Sequence, residues 1–156
     1  MNGKYSHVLW DWNGTLLDDA AWCMECVNDM LARRGLRPLA NLSEYRSVFT
    51  FPVEDYYRRV GFDFDAEPFA VLAEEYMALY HGNDSRLTLF PEIRKTLRIL
   101  RERGLRQNIL SASRIDNLLR QIELFGIAPY FDVILGISDI YARSKEDVAV
   151  RYLRES

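Results

Sequence analysis

Strand-like runs at residues 5–10, 106–110 and 131–136 are separated by helix-like segments, and this alternation constrains the fold most. Successive strands joined through a helix must run parallel, because the crossover returns the chain to the starting end of the sheet. The expected class is therefore α/β, a doubly wound parallel (Rossmann-like) sheet. One interval does not fit simple alternation. Between the first and second runs lie residues 18–85, which read as helix after helix with no strand.

Within that interval, Trp22, Cys26, Val27, Met30 and Leu31 recur on one face of a helix over 20–34, which Gly35 closes. Pro38, Asn41 and Ser43 mark a loop and an N-cap for a short helix through Phe49. Further helices are expected over 52–60 and 67–80, with Phe69, Leu72, Ala73, Tyr76, Leu79 and Tyr80 as the apolar stripe of the latter. Helices at 91–103, 114–125 and 145–154 then separate or follow the later strands, with 111–113 as a turn or helix start. The division expected is a core of residues 1–17 and 86–156 with an inserted helical domain at 18–85.

Composition excludes several classes. At 49% hydrophobic and 28% charged, the 156-residue chain can bury a core and is not disordered. No apolar run reaches the length of a membrane helix, and the N-terminus lacks a signal-peptide stretch, so a cytoplasmic protein without membrane contact is expected. A formal net charge of −3 gives no footprint for nucleic acid. Cys23 and Cys26 make a C-x-x-C spacing inside the helical run. The two histidines, His7 and His81, are far away in sequence, so both cysteines read as ordinary helix residues.

Ligands of open parallel sheets bind beyond the carboxyl ends of the strands. Asp11 and Asn13 follow the first strand, Ser111 follows the second, and Lys145 stands a loop beyond the third. Singly, they read as a strand-end acid, a helix cap and a solvated charge. Together, a carboxylate, a hydroxyl and an ammonium form a phosphate site: the carboxylate attacks phosphorus while the others hold the transferring oxygens. A Mg²⁺ ion would offset repulsion between carboxylate and phosphate.

The segment Val8-Leu9-Trp10-Asp11-Trp12-Asn13-Gly14-Thr15-Leu16-Leu17-Asp18 resembles the first motif of the haloacid dehalogenase-like hydrolases. Ile109-Leu110-Ser111-Ala112-Ser113 is similar to the second, and Lys145 stands where the third motif's lysine is expected. Leu89-Phe90-Pro91 is similar to the phosphoglycolate phosphatase-like branch, and residues 18–85 match a helical cap. The resemblance implies Mg²⁺-dependent hydrolysis of a small phosphorylated metabolite through an aspartyl-phosphate. Asp11 would be the nucleophile, Gly14, Thr15, Ser111, Ala112 and Lys145 would bind substrate, and Asp11 with the Asn13 carbonyl would hold the metal. Trp12 would wall the site or pack.

Two departures stand out. The family's phosphatases carry an acid–base aspartate where this chain has Asn13, whose amide cannot exchange a proton in that role. The fourth, acidic motif is missing before Ser156, so the chain reads as truncated, with an inactive site and an exposed first strand expected to drive self-association. A phosphonate-cleaving activity needs a cap lysine, and none lies between residues 5 and 94. The competing expectation is a non-catalytic protein that binds phosphate or Mg²⁺ at a degraded site. Arg33, Arg34, Arg58 and Arg59 are candidates for reaching an anionic substrate, or solvated helix faces.

Overall fold

A computed structural model describes residues 5–137. The elements are β1 (His7–Trp10), β2 (Leu17–Asp18), α1 (Ala20–Arg33), α2 (Leu42–Val48), α3 (Val53–Val60), α4 (Phe69–His81), β3 (Thr88–Leu89), α5 (Ile93–Glu102), β4 (Arg106–Arg114), α6 (Ile115–Leu124) and β5 (Val133–Ile137). The expected helix over 145–154, and with it Lys145, lies outside the described residues. The chain divides into two compact units, residues 1–18 with 89–156 and residues 19–88.

In the first unit β1, β4 and β5 form a parallel sheet in the order β1-β4-β5. The α/β class with a parallel sheet is therefore correct. β4 is central: His7 to Trp10 pair with Arg106 to Ile109 on one side, and Asn108 to Leu110 pair with Val133 to Leu135 on the other. Both crossovers step in one direction across the sheet, so their right-handedness places α5 and α6 over the same face. That face holds Gln107 and Ile109, both essentially inaccessible. The Gln107 side chain accepts from the Trp10 indole (3.1 Å) and donates to the Leu97 carbonyl of α5 (2.9 Å). The other face carries Leu9, still 55% exposed.

The strand expected to end at Leu110 continues to Arg114, so residues 111–113 belong to β4 rather than to a turn or a helix start. The cause is pairing. Arg114 still pairs with Ile137 across a register shift that absorbs Ser111 to Ser113. Residues 18–85 also hold a little more than helices. Asp18 belongs to β2, which pairs with β3 in a two-stranded ribbon, and Asp84–Arg86 form a 3₁₀ turn.

The second unit is helical around Val27, Met30, Leu31, Leu39, Tyr45, Tyr56, Tyr57, Phe62 and Leu72. Burying one such Leu or Met side chain contributes about 1.5–3 kcal/mol. The helix ends follow local chemistry. Asn41 caps α2, its Oδ1 accepting from Glu44 N (3.0 Å), while Glu44 reaches back to Ala40 N (2.6 Å). Gly61 ends α3 at a φ of 109°, a conformation that disfavours any side chain.

Candidate active site

β1 ends at Trp10, and the next residues build a tight polar turn around a buried anchor. Trp12 is fully inaccessible. Its indole N–H donates to Gln121 Oε1 of α6 (2.8 Å), and its ring lies 6.4 Å from that of Phe125. Trp12 therefore packs. The Trp12 carbonyl accepts from Leu16 N (2.9 Å) and Leu17 N (3.0 Å), and Gly14 N donates to Leu17 O (2.8 Å). Gly14 has a φ of 72°, which the sharp reversal requires. With Trp12 pinned inward, its neighbours are displayed: Asp11 is half-buried, while Asn13, Gly14 and Thr15 are exposed.

The neighbouring strand brings the second group. Trp10 is in register with Ile109, so Asp11 leaves β1 as Ser111 approaches on β4. Ser111 is buried, and its Oγ accepts from Ser113 N (3.0 Å). Ser113, two residues on, donates its hydroxyl to Asn13 Oδ1 (2.6 Å). The first and second polar segments are thus tied by one hydrogen bond between side chains 100 residues apart. Ala112 is half-buried between the two serines.

Gly136 on β5 lets this happen. A Cβ there would stand 2.7 Å from the Ser113 carbonyl and 3.0 Å from Ile115 Cα. Both obstacles are backbone, so only glycine admits this approach of β5 to the end of β4. At the start of α6, Arg114 pairs with Asp116 and holds its carboxyl well below the usual carboxylate range. Asp116 is consequently an anion at neutral pH.

Sequence reasoning located Asp11, Asn13, Gly14, Thr15, Ser111 and Ala112, all of which the structure describes around the ends of β1 and β4. It missed Ser113 and Gly136. The signal for Ser113 was its i, i+2 spacing from Ser111, which shares a strand face. Gly136 had no such signal, because a close backbone approach leaves no trace in one sequence. Among the described residues no three His, Cys, Asp or Glu side chains converge into a metal cluster. The donors at hand are the Asp11 carboxylate and loop carbonyls. Hard oxygens of this kind suit Mg²⁺, which keeps several waters and takes one or two carboxylates beside a substrate phosphate. No described helix is long and apolar enough to cross a membrane.

Comparison with known proteins agrees with this architecture. The chain is 28% identical over 149 residues to a phosphoglycolate phosphatase of Cereibacter sphaeroides, covering 92% of this chain and 68% of the relative. It is 23% identical over 150 residues to pyrophosphatase PpaX of Listeria welshimeri, covering 90% of this chain and 63% of the relative. A haloacid dehalogenase-like hydrolase family protein of Streptococcus pneumoniae superposes with a TM-score of 0.78 at 22% identity, over 97% of this chain and 70% of that one, a likeness of fold. The family model described as haloacid dehalogenase-like hydrolase matches residues 8–154. The chain belongs to the haloacid dehalogenase-like hydrolase family.

Proposed function

We propose that the protein is a Mg²⁺-dependent phosphohydrolase acting on a small phosphorylated metabolite, with Asp11 as nucleophile. The observation that carries this reading is half-buried Asp11 just past the end of β1, with buried Ser111 on the neighbouring strand β4, two residues beyond the last β1–β4 pair. The names of the relatives, a phosphoglycolate phosphatase and a pyrophosphatase, support the same class.

In this mechanism the Asp11 carboxylate attacks phosphorus as the bond to the leaving oxygen breaks and the alcohol departs, forming an aspartyl-phosphate; water then attacks that phosphorus, releasing the carboxylate and inorganic phosphate. The Ser111 hydroxyl and the Ala112 amide hold phosphoryl oxygens, and Gly14 and Thr15 shape the turn against the substrate. Lys145 neutralises the transferring charge. Asp11 and the Asn13 carbonyl would hold the metal, which would screen the carboxylate from the phosphate. Residues 19–88 serve as the cap that selects substrate, and residues 1–18 with 89–156 as the catalytic core. Free chains self-associate through β1.

Asp11→Asn tests the chemistry. An amide is a poor nucleophile and a poor Mg²⁺ ligand, so turnover of p-nitrophenyl phosphate and trapping of a beryllofluoride complex should both be lost. Hydrolysis that survives the substitution overturns the mechanism. A wild-type chain that binds beryllofluoride and Mg²⁺ but never turns over points instead to a binding protein with a degraded site.

A further inference from the structure

We propose that the exposed face of α5 docks an acidic helix of a partner protein, whose carboxylates pair with a row of three guanidiniums, Arg94, Arg98 and Arg101.

The row runs against what stabilises a helix by itself. Residues at i, i+4 and i+7 lie one above another on a helix face, so the three arginines are successive neighbours. Like charges at these spacings repel and weaken the helix. Arg94 also stands in the first turn, where the positive end of the helix dipole favours acids, and that turn holds none. The helical unit follows the opposite rule. Asp29 pairs with Arg33 in α1 and Asp55 with Arg58 in α3, each about one turn apart. Lys95, beside the row, is answered by Glu92 at 2.8 Å. Arg94, Arg98 and Arg101 are exposed, and among the described residues none has an ion pair or side-chain hydrogen bond. Packing does not explain them either, since α5 is anchored on a different side by Leu97, which is fully inaccessible. A local cost with no local return marks a functional position.

The charge is concentrated here. Residues 94–106 hold six cations and one carboxylate, a net +5, and the remaining residues carry −8 to give the chain's −3. The occupant is therefore anionic, and short enough to meet the row rather than the acidic remainder. A long nucleic acid is repelled by that remainder. No aromatic residue lies between Phe90 and Phe125 on which the bases of a single strand could stack. A membrane-surface helix needs an exposed apolar face beside its cations, whereas Leu97 is buried within the molecule. A helix with carboxylates at i, i+4 and i+7 repeats the rises of the row, about 6 Å and about 4.5 Å along the axis. Each guanidinium fork takes a carboxylate through two parallel hydrogen bonds, and pairing removes the repulsion that the row carries alone.

The full chain is titrated at low salt into an alanine-based helical peptide with glutamates at i, i+4 and i+7, an oligothymidylate, and phosphatidylserine vesicles. The peptide should bind more tightly than either other probe and be released as salt rises. Arg94→Gln/Arg98→Gln should weaken peptide binding about tenfold, the worth of two exposed ion pairs. Because it relieves like-charge repulsion, that chain should melt no lower than wild type. Arg103→Gln/Arg106→Gln removes the same charge outside the row and should weaken binding far less. Four results each overturn the inference: no peptide binding, equal losses from the two double variants, tighter binding of oligothymidylate or vesicles, or a lower Tm for Arg94→Gln/Arg98→Gln. The last would make the row a stabilising feature of the fold.

Discussion

Gly136 is the residue at which a single methyl group should be most informative. A Cβ there has no flexible neighbour to push aside, only the Ser113 carbonyl and the Ile115 backbone. Gly136→Ala must therefore move the junction of β4 and α6, and with it the hydroxyl that holds Asn13. The expected result is a stability loss of about 1–3 kcal/mol, as for other overpacked sites. A fall of roughly 10–10²-fold in kcat/KM should accompany it, because catalytic geometry is sensitive at the ångström level. Urea melts and phosphatase kinetics check the two halves, and an unchanged melt would show that β5 can shift freely. At this scale Asp11, Asn13 and Ser111 were legible as polar residues next to the sheet in an α/β pattern. Their mutual contacts were not. The Asn13–Ser113 bond depends on a register between β1 and β4 that no local signal encodes.

Among the elements, the helices were the most legible, since an apolar stripe and a cap mark each one independently of the rest. Asn41 illustrates this: its side chain bonds Glu44 N as an N-cap should, so Asn41→Ala should cost about 1 kcal/mol in chemical denaturation. β4 was legible only in part, because Ser111-Ala112-Ser113-Arg114 carries turn-like residues and is extended through pairing with β5. The arginines show a similar limit. Arg33, Arg34 and Arg58 engage Glu75, Glu67 and Asp55 within the helical unit, and Arg34 also lies over the Phe62 ring at 5.6 Å. Arg58 pairs one turn back within α3, whereas Arg33 and Arg34 link the end of α1 to Glu75 of α4 and to Glu67 before it, a role invisible without knowing which segments adjoin. Arg34 donates to both Glu67 oxygens at 2.7 Å and holds that carboxyl below its ordinary value. A depressed carboxyl contributes stability that is present at neutral pH and lost as pH falls through the acid range, below about 4. Arg34→Gln should therefore lower Tm at pH 7, and the difference from wild type should shrink toward pH 3. A gap independent of pH would assign the arginine's effect to packing on Phe62. The thiols belong to the same unit. Burial pushes Cys26 up to about 11 and raises Cys23 as well, with the Asp19 carboxylate adding to the latter. Both should resist alkylation at pH 8 until the unit unfolds.

For the molecule as a whole, the alternation of strands and helices determined the sheet, and the direction of the crossovers determined its open side. With α5 and α6 over one face, Leu9, Leu110, Val133 and Leu135 lie in neighbouring register on the other, around the buried Asn108 that pairs with both Leu9 and Val133. Leu9 is 55% exposed and Tyr5, just before β1, is 72% exposed. β1 is also the end strand among the described residues, so one row of its backbone N–H and C=O groups has no described strand beside it. Parallel strands are ordinarily covered on both faces, and an apolar strand at a sheet's end is a template for a second chain. A second copy pairing there would satisfy the backbone row and bury Leu9 in one step. Leu9→Lys places a charge on that face at a position that is 55% exposed. Sedimentation velocity should show wild-type chains shifting to larger species as concentration rises, and Leu9→Lys chains remaining monomeric over the same range. A monomeric wild type, or a variant that assembles equally well, would show that β1 is not the surface through which copies meet.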